Sequence, residues 1–158
     1  MARTITAKDV AEYFLDRATG EADDLISNLK LQKLVYYAQG VHLVYQGEPM
    51  FSDSIQAWTP GPVVPALYHE YKGYGDGPIP ANPDFDPEVF TEKQLETLDA
   101  VYEAFGQYSA WKLRNMTYEE HPWKSAYARH AGSAISNASM FEYFNTIVDA
   151  QYFPDHLW

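Results

Sequence analysis

The stretch SNLKLQKLVYYAQGVHLVYQG, residues 27 to 47, decides the fold of this protein. At about 100° per residue its apolar side chains form a core stripe, and a second apolar group gathers on the side of Gly40. Because a helix with two apolar faces must be wrapped by other elements, we predict a central helix that starts at Ser27 or Asn28 and ends at Gly47. Gly40 in its middle predicts the close approach of another backbone. The stripe comprises Leu31, Leu34, Val35, Ala38, Val41 and Tyr45, and the second group comprises Leu29, Tyr36, Leu43 and Val44.

Capping residues and apolar spacing predict five further helices around the central one. We place them at residues 7–18, 66–71, 91–105 and 109–116 and in a segment after Ser136. Alternating residues 51–58 predict a short strand, and the Gly- and Pro-rich run 73–87 predicts a long loop. Thr91 with Gln94, and Thr117 with Glu120, have the spacing of capping boxes. The fold class is therefore α+β, a single mainly α-helical domain over residues 1–158 with a small β element.

Composition excludes several classes of function. The 158 residues carry a net charge of −11 and no cysteine. The charge argues against direct binding to nucleic acid or to an anionic membrane, and the absence of cysteine excludes disulfides, thiolate metal sites and a cysteine nucleophile. The N-terminal residues contain no apolar run typical of a signal peptide, so we expect a cytoplasmic protein.

The five histidines give no support for catalysis. His69 and Glu70 begin like a metalloprotease helix, but position 73 is Gly and the second histidine of H-E-x-x-H is missing. His42 lies at the edge of the core stripe and is interpreted as a structural imidazole. Phosphate-binding glycine loops and serine nucleophile motifs are also absent from the sequence. We therefore predict no enzyme activity, no metal and no cofactor.

Acidic residues are concentrated between positions 76 and 103, a segment with eight Asp and Glu residues and a single basic residue, Lys93. On the predicted helix four of these lie in an arc of about 60°, beside the apolar line. This acidic face would steer a basic partner toward the protein, or would simply keep the protein soluble. The four residues are Glu92, Glu96, Asp99 and Glu103.

Aromatic residues provide a second indication of binding. Thirteen Tyr and four Trp exceed what a small core buries with every polar atom satisfied. Trp58 precedes the stiff sequence Pro60-Gly61-Pro62, where its ring would either form an apolar ledge or pack beneath the turn as part of the core. The tail from Ala150 to Trp158 is also aromatic, and we expect it to dock on the body of the protein.

Four segments are too specific to be generic: ISNLKLQKLVYYAQG at 26–40, AWTPGPVVPALYHEYK at 57–72, HPWKSAYA at 121–128 and MFEYF at 140–144. Together they resemble the Panacea domain, a family that includes the SocA-type antitoxins of bacterial toxin-antitoxin systems and phage-associated relatives. The resemblance implies a non-enzymatic antitoxin that binds a cognate toxin. It also leaves open a second mode, in which the antitoxin is an adaptor that delivers the toxin to an ATP-dependent protease.

The motif positions predict the recognition surface. Lys33 and Tyr37 are placed there from the less apolar flanks of the central helix, and the remainder come from the segment that follows the predicted strand. Two alternatives stay open: a prophage-derived interaction protein with a host target, and a hydrolase that uses His69 and Glu70. The predicted recognition residues are Lys33, Tyr37, Trp58, Pro60, Pro62, Val63 and Tyr68.

Overall fold

The computed structural model describes residues 4–18 and 25–148, which form seven α-helices and a two-stranded antiparallel sheet. This confirms the mainly helical α+β class. The aromatic tail, predicted to dock, and most of the acidic connector at 21–25 lie outside the described residues. The elements are α1 (Ala7–Ala18), α2 (Asn28–Gln46), β1 (Gln56–Trp58), β2 (Gly61–Val63), α3 (Pro65–Tyr71), α4 (Glu92–Phe105), α5 (Ala110–Tyr118), α6 (His121–Arg129) and α7 (Asn137–Ile147). Two short 3-10 turns cover Lys72–Tyr74 and Pro87–Val89.

Helix α2 is the centre of the fold, as predicted. It packs against α1, α3, α4, α5, α7 and β2. The Ser27 side chain caps its first turn by accepting a hydrogen bond from the Lys30 amide, and Gly47 ends it with a φ of 72°. Every residue from Lys30 to Leu43 is buried, which explains why both faces of this helix are apolar.

Gly40 lies under an aromatic ring and not, as predicted, under another backbone. A Cβ atom at this position would lie 2.1 Å from a ring carbon of Phe144, which comes from α7. The Phe144 side chain is fully buried. The missing side chain at Gly40 therefore lets α7 press its ring onto the backbone of α2.

The β element is a tight hairpin that covers only part of the predicted strand. β1 pairs with β2 so that Trp58 faces Gly61. Strand β2 was not predicted, because prolines are depleted in strands and two of them surround Gly61. The other edge of β1 is also covered, since Ala57 donates its amide to the Ser133 carbonyl. None of the helices within residues 4–18 and 25–148 has the length and hydropathy of a membrane span.

The corner between α5 and α6 differs from the sequence prediction. The capping box at Thr91 and Gln94 is confirmed, whereas the one predicted at Thr117 and Glu120 is wrong. The Thr117 hydroxyl donates to the Arg114 carbonyl, and Glu120 precedes α6 without a side-chain capping bond. The Glu120 carboxylate has other partners, which belong to the site described next.

Candidate partner-binding site

The turn that joins β1 and β2 is held by three aromatic side chains from α5 and α6. Tyr118 donates its hydroxyl to the Thr59 carbonyl, and the Trp123 indole N–H donates to the Trp58 carbonyl at 2.8 Å. The Tyr127 hydroxyl lies 3.1 Å from the Thr59 hydroxyl. The three rings lie in a row: Trp123 and Tyr127 stack with centroids 4.7 Å apart, and Tyr118 is tilted by 31° against Trp123 at 4.6 Å. We call Tyr118, Trp123 and Tyr127 the turn clamp.

Lys33 holds the same hairpin from the interior. Its side chain is 0% exposed and its Nζ donates to the Pro62 carbonyl at 3.0 Å. Gly61 fits above it with a φ of +111°, where a Cβ atom would lie 2.7 Å from the Lys33 Cε. Burial, followed by the charge of Arg114, lowers the pKa of Lys33 to about 7. The prediction that Lys33 lies on the recognition surface is therefore corrected: the side chain supports the hairpin from below.

Tyr37 is also buried, in a polar cluster beside the clamp. Both Tyr36 and Tyr37 donate their hydroxyls to the Glu120 carboxylate, at 2.9 Å and 2.8 Å. Burial raises the pKa of Glu120 to about 7, although the tyrosine hydrogen bonds oppose that rise. The Tyr37 ring stacks on Phe105 with a centroid distance of 4.0 Å. Tyr37 is 0% exposed, so its predicted surface position is corrected too, and it ties α2 to the start of α6.

The exposed part of the predicted recognition surface is a ledge formed by Trp58, Pro60 and Tyr68. The rings of Trp58 and Tyr68 meet edge to face at 5.1 Å, and Tyr68 is 36% exposed. Trp58 and Pro60 are half-buried, so each packs on the protein and still presents a surface to solvent. Pro62 and Val63 are buried, which corrects their predicted exposure. Val63 forms part of a cleft of about 190 Å³ beside the ledge.

The acidic face of α4 is partly neutralised. Glu92, Glu96 and Glu103 are exposed. Asp99 accepts a hydrogen bond from the Tyr13 hydroxyl and forms an ion pair with Arg17 at 2.6 Å. Three carboxylates, and not four, therefore remain for attracting a partner.

The residues of the hydrolase alternative, His69 and Glu70, lie on α3, directly after Tyr68 of the ledge. Glu70 forms an exposed ion pair with Lys8 at 3.0 Å, on the rim of a cleft of about 270 Å³. The His69 ring packs edge to face against Tyr68. His42 donates a hydrogen bond from its Nδ1 to the Glu48 carbonyl at 2.8 Å, and burial lowers the pKa of its ring. In residues 4–18 and 25–148, no group of three or more His, Asp or Glu side chains is arranged to hold a metal ion.

Comparison with known proteins assigns the family. The family whose model matches is described as antitoxin SocA-like, Panacea domain, and the match covers residues 31–124. This chain belongs to that family. The antitoxin SocA of Caulobacter vibrioides (strain NA1000 / CB15N) is 41% identical over 73 residues. The aligned part is 46% of this chain and 38% of that relative, so it spans less than half of either protein. No solved structure matches.

The part of this SocA-like chain that matches the family model contains the whole hairpin and most of its supports. It includes Lys33, the ledge, Tyr118 and Trp123, and it ends at Lys124. Helix α6 and its role in the clamp were missed from the sequence, although Pro122 at the first turn of a helix is a known signal. The contact between Glu120 and the two tyrosines joins residues more than 80 positions apart, so no local pattern could have shown it.

Proposed function

We propose that this protein is an antitoxin that neutralises a cognate protein toxin by direct binding, and that it forms or breaks no covalent bond. The observation that carries the proposal is the rigid ledge that Trp58 and Pro60 of the hairpin form with Tyr68 of α3, at a turn that is held on two sides. The turn clamp holds the turn from α5 and α6, and Lys33 holds it from α2.

Rigidity of this kind favours binding. A protein interface costs about 0.5 to 1.5 kcal/mol for each flexible side chain that becomes ordered, and a surface that is already ordered avoids that cost. Trp and Tyr are enriched among residues whose removal costs at least about 2 kcal/mol of binding free energy. We therefore place the main contact with the toxin on the ledge.

The acidic face adds attraction at long range. Many toxins act on nucleic acids and carry basic surfaces, and an acidic antitoxin would accelerate their association. Of the four predicted carboxylates, Glu92, Glu96 and Glu103 supply this charge. If the rate of association with the toxin does not change between low and high salt, steering by this face is wrong.

Neutralisation has two modes that binding alone does not separate: the antitoxin blocks the toxin, or it delivers the toxin to an ATP-dependent protease. The lifetime of the toxin in cells separates them. Blocking predicts a toxin that is stable in the complex, whereas delivery predicts that co-expression shortens its lifetime and that depletion of the protease restores it.

The binding proposal is tested by co-expression with the product of the adjacent gene. Trp58→Ala and Tyr68→Ala should each abolish growth rescue and weaken co-purification of the toxin by at least about 30-fold. Phe141→Ala is the matched control, since it removes an aromatic side chain that is 43% exposed on α7.

Circular dichroism and thermal melting decide how the variants are interpreted. Both ledge variants should melt near the wild-type temperature. Loss of fold together with function would assign Trp58 and Tyr68 to the core and would contradict the proposal. Rescue by both variants at wild-type level would exclude the ledge as the binding surface.

A further inference from the structure

The charge of this protein is unevenly distributed along the chain. Of its 22 Asp and Glu residues, Glu119 and Glu120 are the only ones between Glu103 and Glu142. Glu120 is buried. The same interval contains four of the 11 Lys and Arg residues, on α5 and α6: Lys112, Arg114, Lys124 and Arg129. An acidic protein therefore carries one locally basic region, and this region includes the turn clamp.

Arg114 is the cation at the centre of this region. Its guanidinium carbon lies 3.4 Å from the centroid of the Trp111 ring and 5.1 Å from that of Tyr118. One Nη donates to the Asn115 side chain at 3.1 Å, while the Nε is shielded from solvent and makes no hydrogen bond. Among the ion pairs of the described residues none includes Arg114. The guanidinium is therefore held in place by aromatic rings and is not neutralised by a carboxylate.

The surroundings of Arg114 are exposed and aromatic. Trp111 is 61% exposed, which is unusual for so large an apolar side chain on a helix with a buried opposite face. Tyr118 connects this pair to the ledge, because its hydroxyl binds the Thr59 carbonyl. Trp, Tyr and Arg are the three residue types most enriched where binding energy is concentrated. Trp111, Arg114 and Tyr118 together form what we call the basic face.

We propose that the basic face binds an acidic segment of the toxin, with an Asp or Glu carboxylate of that segment on the Arg114 guanidinium. The inference rests on the proposed antitoxin function, and it adds the chemistry of the contact. A guanidinium has a planar fork of donors that matches a carboxylate, and its orientation here is already fixed by two rings. The flanking Trp111 ring would cover the apolar part of the same segment.

Charge complementarity favours an acidic peptide over nucleic acid. Binding to a phosphate backbone depends on many Lys and Arg contacts. The basic region has four such residues in a chain whose net charge is −11. One fixed guanidinium between aromatic rings is suited to a single carboxylate. The acidic face of α4 acts on the overall charge of the toxin, whereas Arg114 selects the segment that docks.

The test determines the sign of the charge on the toxin group that contacts Arg114. Full-length antitoxin variants are titrated with the purified toxin at fixed salt. Arg114→Gln removes the charge and should weaken binding at least tenfold, and Arg114→Glu reverses it and should weaken binding at least tenfold more. Lys93→Glu is the matched control, because it makes the same charge reversal on an exposed residue of α4; beside the acidic face it should leave the affinity unchanged or raise it, and should not lower it.

Each outcome has one meaning. If Arg114→Glu binds as tightly as Arg114→Gln, or more tightly, the group on the toxin is not acidic and the inference is wrong. If the wild-type protein does not bind the toxin at all, the proposed function itself fails. If the wild-type protein binds a labelled DNA duplex and Arg114→Glu does not, the ligand of the basic face is nucleic acid and not an acidic peptide.

A second variant covers the case in which Arg114→Glu does not fold, as judged by circular dichroism. Trp111→Glu places a negative charge on the same face at a mostly exposed position, three residues before Arg114. It should weaken toxin binding at least tenfold, whereas Trp111→Lys, which also removes the ring, should weaken binding less. Equal losses in the two Trp111 variants would contradict an acidic partner.

Discussion

Replacing Lys33 with Met tests how the interior of the protein supports its binding surface. In the folded protein the pKa of Lys33 is about 7, whereas the unperturbed value is 10.5. Between these values the unfolded chain binds more protons than the folded one. The free energy of unfolding must therefore rise with pH in this window, by up to about 1.4 kcal/mol per pH unit.

Methionine at position 33 does not titrate, so the difference between variant and wild type isolates the lysine. From pH 7 to pH 9 the free energy of unfolding of Lys33→Met should fall relative to wild type by about 2 to 3 kcal/mol. A second contribution does not depend on pH. The buried Pro62 carbonyl loses its donor in the variant, which costs about 1 to 3 kcal/mol. After burial, the positive charge of Arg114 is the second cause that lowers the pKa of Lys33.

The assay is urea unfolding at several pH values from 6 to 9.5, with Lys93→Met as the control for a lost exposed lysine. The reasoning is refuted if the difference between Lys33→Met and wild type is the same at every pH. Toxin affinity of the folded variant should also fall, because the hairpin loses its interior support and the ledge shifts, although Trp58 and Tyr68 themselves are unchanged. Unchanged affinity would show that the clamp alone fixes the turn.

Three further predictions concern the same supports. As the pH rises from about 4.5 to about 7, the wild-type protein should lose up to about 3 kcal/mol of its free energy of unfolding, because the carboxyl of Glu120 ionises in the unfolded chain before it does in the folded one. Glu120→Gln should remove this loss, and urea unfolding at several pH values measures it. Gly40→Ala should destabilise by about 1 to 3 kcal/mol despite the better helix propensity of alanine, and a double-mutant cycle with Phe144→Ala should show strong coupling. Gly61→Ala should lower both the melting temperature and toxin affinity, since φ is +111° and the new Cβ would meet Lys33; retention of both would contradict the close packing there.

Local sequence signals predicted the helices well. Ser27, Thr91 and Ser109 all cap helices that they were expected to begin, because a side-chain cap depends only on the next three residues. The two apolar faces of α2 also predicted its central position correctly. Strand β2 was missed, since its proline sequence opposes the usual strand preference and the pairing with β1 overrides it.

The candidate site could be predicted only in part. The segment after residue 57 was found from the sequence, and Trp58, Pro60 and Tyr68 do lie at the surface. Lys33 and Tyr37 were misplaced because charge and hydroxyl groups usually indicate a surface position. Their buried partners, the Pro62 carbonyl and the Glu120 carboxylate, come from distant parts of the chain and are visible only in the fold.

The positions of Lys33 and Tyr37 explain how a motif on a buried helix would serve the binding function that we propose. Lys33 and Tyr37 lie one turn apart on α2, and each reaches outward to a different support of the hairpin turn. Lys33 holds β2 at Pro62, and Tyr37 holds the corner at Glu120 from which α6 carries Trp123. A substitution at either residue would therefore shift the ledge without contacting the toxin. The polar residues of α2 act as positioning residues, and we expect their loss to reduce affinity through the geometry of Trp58 and Tyr68.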